Sequence, residues 1–208
     1  MPTIKINREN IEETKDNKLT KIKKKFNIES TNFYDIQLIS QKKNYQIFFK
    51  NYGKATRFRL KTPLMKIPFG IEKYNFKEIV NLEFINTKNN DVQNFLSSIK
   101  EIDSFFFKLK YQNFYNDLDC KINENNFLDK YYISCLRFKD NFNPLLRVHL
   151  KKNKNAIKSI FYKKDSSEEI NPYNIKGSIG TFTIEIGNIW FSNTDFGLIW
   201  YINGGYIN

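Results

Sequence analysis

The sequence is poor in the residues from which most catalytic, metal and disulfide sites are built. It has two cysteines, Cys120 and Cys135, and a single histidine, His149, in 208 residues. The cysteines form no C-x-x-C pair, so neither a disulfide framework nor a zinc site is indicated. A histidine-activated nucleophile would have to lie beside His149, and the sequence contains no G-x-S-x-G motif. We therefore expect a protein that is not an enzyme and has no metal site and no cofactor.

Phosphate-binding glycine loops and long apolar runs are also missing. The glycine pair in Gly177-Ser-Ile-Gly180 lacks the lysine and the spacing of a P-loop. No apolar run approaches the ~18 residues that a membrane span needs. The first residues, MPTIKINRENIEETKD, are polar and charged, unlike a secretory leader. We expect a soluble intracellular protein with no membrane partner.

The sequence is rich in positive charge and in aromatic side chains. Lys and Arg number 34 against 22 Asp and Glu, which gives a formal net charge of +12. This excess indicates an anionic partner, although an AT-rich coding bias would account for part of the lysine content. Aromatic residues make up 16% of the chain, which is enough to supply both a core and a stacking surface.

Two segments alternate between cations and apolar residues as extended strands do. In the segment 54–70, the cations Arg57, Arg59 and Lys61 fall on the opposite side from Phe58 and Leu60. In the segment 145–151, one side carries Leu146, Val148 and Leu150, and the other carries Arg147, His149 and Lys151. Solvation of a surface strand explains one such pattern. Two of them in one small domain favour a nucleic-acid-binding surface.

Aromatic residues follow or adjoin these strands. Phe69 lies in the turn Pro68-Phe69-Gly70, where a ring would be held on an exposed corner. Trp190-Phe191 and Trp200-Tyr201 lie in the C-terminal strands, and core packing is the default interpretation for each tryptophan. Rings beside cationic strands are also how single-stranded nucleic acid is held, because bases stack on the rings while cations follow the phosphates.

The periodicity predicts a mainly β domain with one principal helix. Asn89–Asp91 supplies a helix N-cap, and apolar residues follow at spacings of three and four as far as Leu109. Alternating segments predict strands over 34–39, 45–50, 54–61, 74–86, 131–139, 145–151, 156–163, 181–191 and 196–202. We predict a charged arm over 1–30, a single domain over 31–203 and a loose tail over 204–208. The expected fold class is α+β, mainly β, with a partly open OB-like barrel, added strands and one covering helix, although the pattern alone does not separate a barrel from a sandwich.

Three short segments resemble a known family. Residues 61–70, KTPLMKIPFG, with Tyr74 shortly after, resemble the "TP-x-M-x-x-PFG…Y" stretch of single-stranded DNA-binding proteins of nucleocytoplasmic large DNA viruses. Residues 143–151, NPLLRVHLK, resemble the "P-x-L-R-V-K-L" strand of those proteins, and "IWF…FGLIW" at 189–200 resembles their closing hairpin. The three segments occur in the family's order.

The resemblance implies an OB-like fold and sequence-tolerant binding of single-stranded DNA in viral replication, recombination or repair. RNA binding stays open, as do self-association on DNA and contacts with replication proteins. The implied location is the host cytoplasm at the virus factory, the nucleus or the virion. His149 stands where a lysine is common in the family, so one phosphate contact is expected to be weaker.

Strand alternation and the matched segments together give the candidate nucleic-acid-binding residues. Phosphate contacts are expected from the cations and base stacking from the rings of the following set: Lys54, Arg57, Arg59, Lys61, Lys66, Phe69, Tyr74, Arg147, His149, Lys151, Trp190 and Phe191.

Two other functions compete with this one. A viral scaffold protein with non-specific nucleic-acid affinity would carry the same charge. A metal-dependent nuclease would use scattered carboxylates, either Asp117 with Asp119 or Asp165 with Glu168 and Glu169, although loop solubility explains both groups better.

Overall fold

A computed structural model describes residues 25–28, 32–41, 44–51, 54–74, 77–109, 131–153, 156–192 and 194–208. The chain forms two compact units. The first comprises Met1–Phe58, Glu101–Ile133 and Gly187–Leu198, and the second comprises Arg59–Lys100, Ser134–Ile186 and Ile199–Asn208.

The described residues contain one α-helix, α1 (Asn90–Leu109), and a short 3-10 turn at Pro172–Asn174. Their strands are β1 (Lys25–Ile28), β2 (Asn32–Gln41), β3 (Asn44–Asn51), β4 (Lys54–Thr56), β5 (Arg59–Lys61), β6 (Met65–Lys66), β7 (Ile71–Tyr74), β8 (Lys77–Glu83), β9 (Tyr131–Tyr132), β10 (Leu136–Arg137), β11 (Leu145–Leu150), β12 (Lys152–Asn153), β13 (Ala156–Ile157), β14 (Ile160–Lys163), β15 (Glu169–Ile170), β16 (Ile179–Phe191) and β17 (Asp195–Ile207).

The second unit contains a closed five-stranded barrel. Strands β6, β8, β11 and β17 are hydrogen-bonded in that order, and β16 pairs with both β6 and β17. The β11–β17 pair is parallel, with His149 opposite Tyr201. The Asn208 amide donates to the Ile179 carbonyl at 2.9 Å where the ring closes. The predicted α+β, mainly β, OB-like fold is therefore confirmed, with a barrel that is closed rather than partly open.

Strand alternation supplies the barrel core. Val80, Leu82, Leu146 and Val148 are fully buried, as the period-2 pattern predicts for the inward side of β8 and β11. Strand β5 ends at Thr62-Pro63, because proline has no amide to donate. At this point the Thr62 side-chain hydroxyl, and not a backbone carbonyl, accepts the hydrogen bond from the Phe182 amide, at 2.9 Å.

Helix α1 begins where the sequence predicts. The Asn89 side-chain oxygen accepts a hydrogen bond from the Asp91 amide at 2.7 Å, which satisfies one of the free N–H groups of the first turn. Within the second unit, the Phe95 ring lies 6.0 Å from that of Phe84, at the end of β8. The apolar stripe includes Val92 and Ile99, which are both buried.

The first unit has its own sheet pairings. Strands β1, β2 and β3 pair antiparallel, β16 pairs with β3, and β9 runs parallel to the start of β17. The Tyr132 ring contacts both Phe107 and Phe196, with centroid distances of 5.9 and 5.1 Å. Its hydroxyl donates to Asp103.

Five predicted elements need correction. The strand expected over 54–61 is two strands, β4 and β5, of which β4 pairs with β3 and β5 pairs with β16. The single strand expected over 74–86 is the end of β7 followed by β8, and these two strands pair as a hairpin. The segment 131–139 holds two short strands, β9 and β10, rather than one. The single strand expected over 156–163 is also two, β13 and β14, and β14 pairs in parallel with β17. The tail expected over 204–208 is wrong, because β17 continues to Ile207 and is held there by β14. A single domain over 31–203 stays a prediction, as does a charged arm over 1–30, of which only β1 is described.

Candidate functional site

The outward side of β11 carries a row of polar and cationic side chains. Leu146, Val148 and Leu150 point into the barrel, so Arg147 and His149 point outward and are partly exposed. Lys151 continues the row just beyond the strand. The basic face is defined here as the outward side chains of Arg59, Tyr74, Lys77, Arg147, His149 and Lys151, all of which belong to the second unit.

Arg147 and Tyr74 form a stacked pair on this face. The guanidinium carbon lies 4.0 Å from the centroid of the Tyr74 ring, which is cation–π geometry. Tyr74 remains 41% exposed. Arg147 lies opposite Asn81 in the β8–β11 register. Arg147 Nε and Asn81 Oδ1 are both buried without a hydrogen-bond partner among the described residues, so this part of the face has unmet hydrogen-bonding capacity.

His149 occupies the centre of the row as a neutral imidazole. Burial, together with the nearby positive charges of Lys77 and Arg147, lowers the pKa of His149 from 6.5 to about 4. The ring lies 6.2 Å from that of Tyr201, edge to face. His149 therefore adds a ring and a hydrogen-bonding group at neutral pH, and no positive charge.

Glu185 forms ion pairs with two cations of the basic face, Lys151 and Arg59. Lys151 Nζ lies 2.6 Å from Glu185 Oε1, and Arg59 Nε lies 3.1 Å from Oε2. The Asn203 amide also donates to Oε2, at 3.0 Å. The Glu185 side chain is only 4% exposed. Cations from β5 and from the end of β11 therefore meet on one side of the barrel.

The charge state of Glu185 follows from these contacts. Burial raises the pKa of this carboxyl group, but the hydrogen bonds from Lys151, Asn203 and Arg59 outweigh that effect and hold the pKa below 4.5. The ionised carboxylate partly neutralises Lys151 and Arg59 and fixes where they lie. The sequence predicts both cations, but gives no sign of this partner.

Three further predicted residues also lie in the second unit. Lys61 is exposed and faces Thr183, next to the Arg59–Glu185 pair along β5 and β16. Lys66 lies opposite Glu83, and Phe69 is 53% exposed at the turn before β7. Gly70 adopts a φ of 75° in this turn, which fits the proposed rigid corner.

Four predicted residues belong to the first unit. Arg57 donates to the Gly187 carbonyl at 2.8 Å. Trp190 is partly exposed, and its indole packs close to Gly197. Lys54 and Phe191 lie in β4 and β16, and only their backbone positions are described.

Sequence reasoning missed Lys77 of the basic face and three residues next to it, Asn81, Tyr201 and Asn203. All four lie on the outward side of β8 or β17, whose other side is core. Their signal is a polar or amphipathic residue at an outward strand position, which is too common to single out without the register.

Of the carboxylates considered for a metal, Asp165, Glu168 and Glu169 lie in the described residues and do not form a cluster that could hold a metal ion. Among the residues that the structure describes, no group of three or more His, Cys, Asp or Glu could hold a metal ion. Glu168 forms an ion pair with Lys163 at 2.7 Å, and Asp117 and Asp119 lie outside the described residues. The helix that the described ranges contain is not long and apolar enough to cross a membrane.

No protein-family model matches this chain, and no curated protein is significantly similar to it in sequence.

Proposed function

We propose that this protein binds single-stranded DNA through the basic face, without reading base sequence. The observation that carries the proposal is the Arg147–Tyr74 stack within a row of cations on the barrel. A guanidinium held against a ring offers a phosphate contact and a flat surface for a base at the same point.

The position of the face in the barrel supports this function by analogy. Counted along the chain, β8 and β11 are the second and third of the five barrel strands. OB-folds bind oligonucleotides on the face of these strands and with the loop between the first and second strands. In this protein that loop holds Phe69 and ends in β7 with Tyr74. Fold alone does not determine function, so the proposal rests on the Arg147–Tyr74 stack and the cations around it, and the strand order is in agreement with it.

The resemblance of the three sequence segments supports a role in replication, recombination or repair of viral DNA. Two of them, 61–70 and 143–151, supply Phe69, Arg147, His149 and Lys151 to the second unit.

The direct test is fluorescence anisotropy with labelled oligo-dT, a duplex of the same length and oligo-U, each at several salt concentrations. We expect oligo-dT to bind more tightly than duplex, because paired bases cannot stack on protein rings. Equal affinity for single strand and duplex would overturn the proposal in favour of a scaffold that only neutralises charge. Stronger binding of oligo-U would reassign the ligand to RNA.

A charge variant tests whether the basic face is the site. Arg147→Gln should reduce the slope of log K against log salt by about 0.7, the value for one phosphate contact on a single strand. Lys164→Gln is the matched control, because Lys164 is exposed on the turn after β14. It removes the same charge, and its slope should stay at the wild-type value. Equal changes in the two variants would mean that net charge, and not this face, determines binding.

A ring variant tests stacking. Phe69 is half exposed, so Phe69→Leu should leave the fold intact. Loss of one stacked base should cost about 1–3 kcal/mol in binding and leave the salt slope unchanged.

Incubation of a labelled strand with Mg²⁺ serves as a check on the nuclease alternative, since cleavage products would exclude a pure binding protein.

A further inference from the structure

A second group of exposed rings lies at the end of the basic face, in the loop between β10 and β11. Phe138 is 58% exposed and Phe142 is 67% exposed. Each has an ammonium group over its ring: Lys100 Nζ lies 5.1 Å from the Phe138 centroid, and Lys139 Nζ lies 5.1 Å from that of Phe142. The stacking loop is defined here as residues 138–143, which follow β10.

The loop is ordered by its own hydrogen bonds. The Phe142 amide donates to the Lys139 carbonyl at 3.1 Å across a turn in which Asn141 has a φ of 66°. The Asn143 side chain donates to Glu83 Oε1 at 2.9 Å, which ties the loop to β8. The backbone that carries the two rings is therefore held in place before any ligand arrives, and this lowers the entropic cost of stacking on them.

The register connects the stacking loop to the basic face. In the β10–β11 ladder, Leu136 lies opposite Leu146 and Arg137 lies opposite Leu145. Leu136 and Leu146 are buried, so Arg137 and Leu145 share the outward side with Arg147. Arg137 is thus a diagonal neighbour of Arg147, at about 7–8 Å for such a pair. The outward side of the sheet therefore carries cations at Arg137, Arg147 and Lys151, with the neutral His149 between the last two.

We propose that the stacking loop binds bases of the same single strand after it leaves the Arg147–Tyr74 stack. This inference rests on the proposed function and extends the binding track beyond the second and third barrel strands. The chemistry selects the occupant: Arg137, Lys139 and Lys100 suit an anionic backbone, and the exposed faces of Phe138 and Phe142 suit flat bases. Asp140 is the one acidic residue within the loop.

The inference predicts a dependence on strand length. An oligo-dT of about 6 nucleotides would occupy the basic face alone, and one of about 15 would also reach the stacking loop, within the range of known OB-fold sites. The double variant Phe138→Ser with Phe142→Ser should bind the short strand as wild type does. It should bind the long strand at least about fivefold more weakly, which corresponds to the loss of one base stack.

Tyr173→Ser is the matched control, because Tyr173 is 63% exposed in the turn after β15, outside this loop. It should bind both lengths as wild type does. Thermal unfolding of both variants checks that the fold is kept, which we expect for rings that are already in water.

The outcomes separate the two proposals. If the double variant binds both lengths like wild type, the stacking loop is not part of the track and the proposed function stands. If wild type binds neither length, both proposals fail.

A third arm of the experiment uses vesicles containing phosphatidylserine. Vesicle binding that the double variant loses, with long-strand binding unchanged, would assign the rings to a lipid surface and overturn this inference.

Discussion

Lys151 and Glu185 form an ion pair that reaches across an intervening barrel strand. Lys151 follows β11 and Glu185 lies in β16, and β17 lies between these two strands in the sheet. Asn203, on β17, donates to the same carboxylate. One buried acid thus ties together the outward side of three strands, and its contribution can be measured.

Glu185 should make the protein sensitive to acid. Its pKa is lower in the folded protein than the ordinary 4.5, so its stabilising effect is complete above that pH and is lost as the pH falls through the folded pKa. Glu185→Gln should lower the free energy of unfolding at pH 7 by about 1–3 kcal/mol, because charged hydrogen bonds are lost. Urea denaturation at pH 7 and in acid measures both effects.

The control for Glu185 is Glu168→Gln. Glu168 forms an exposed ion pair with Lys163, so its replacement should cost no more than about 1 kcal/mol. Equal losses for the two variants would contradict the structural role assigned to Glu185.

His149 should weaken the fold in mild acid. Its pKa in the folded protein is about 4, whereas the unfolded chain takes up a proton near 6.5. Above pH 6.5 the titration of His149 therefore has no effect on the free energy of unfolding. As the pH drops from 6.5 to 4, this titration lowers the free energy of unfolding by up to about 3 kcal/mol. His149→Gln should flatten this slope. Because the chain has one histidine, a single imidazole NMR signal reports its pKa, and titration near 6.5 would refute the prediction.

Gly204 should not tolerate a side chain. A Cβ at this position would lie 1.8 Å from the Ile160 carbonyl oxygen, where β14 runs beside β17. Gly204→Ala should destabilise the protein by at least about 1–3 kcal/mol, because the backbone must move. Gly177→Ala is the comparison: Gly177 has a φ of 79° and open space around it, so only strain of about 1–2 kcal/mol is expected. Thermal melts of both variants rank them, and a smaller loss at Gly204 would contradict the packing.

The two tryptophans should differ in their structural importance. Trp200 is 1% exposed, so Trp200→Ala should cost about 3–5 kcal/mol. Trp190 is partly exposed, and Trp190→Ala should cost less, because part of its surface is already in water. Chemical denaturation of the two variants gives the comparison. A larger loss at Trp190 would mean that this ring is the more important core residue.

Local patterns predicted much of the fold and part of the candidate site. Alternation placed Leu146 and Val148 inside and Arg147 outside, because neighbouring strand side chains must point to opposite faces. The same rule puts Glu185 outside, between the core residues Ile184 and Ile186, and yet it is buried. Cations from β5 and from the end of β11 and an amide from β17 cover it, and no local pattern contains that information.

The sequence by itself determined the strands with a cationic side, the start of the helix, the excess of positive charge and the rings at turns, because these depend on residues close together in the chain. Only the tertiary structure decided which cations meet: it stacked Arg147 on Tyr74, joined Arg59 and Lys151 at Glu185 and placed Arg137 beside Arg147. Those contacts depend on strand order and register. Both are set by how the whole core packs, since a shift of one residue would turn every outward side chain inward.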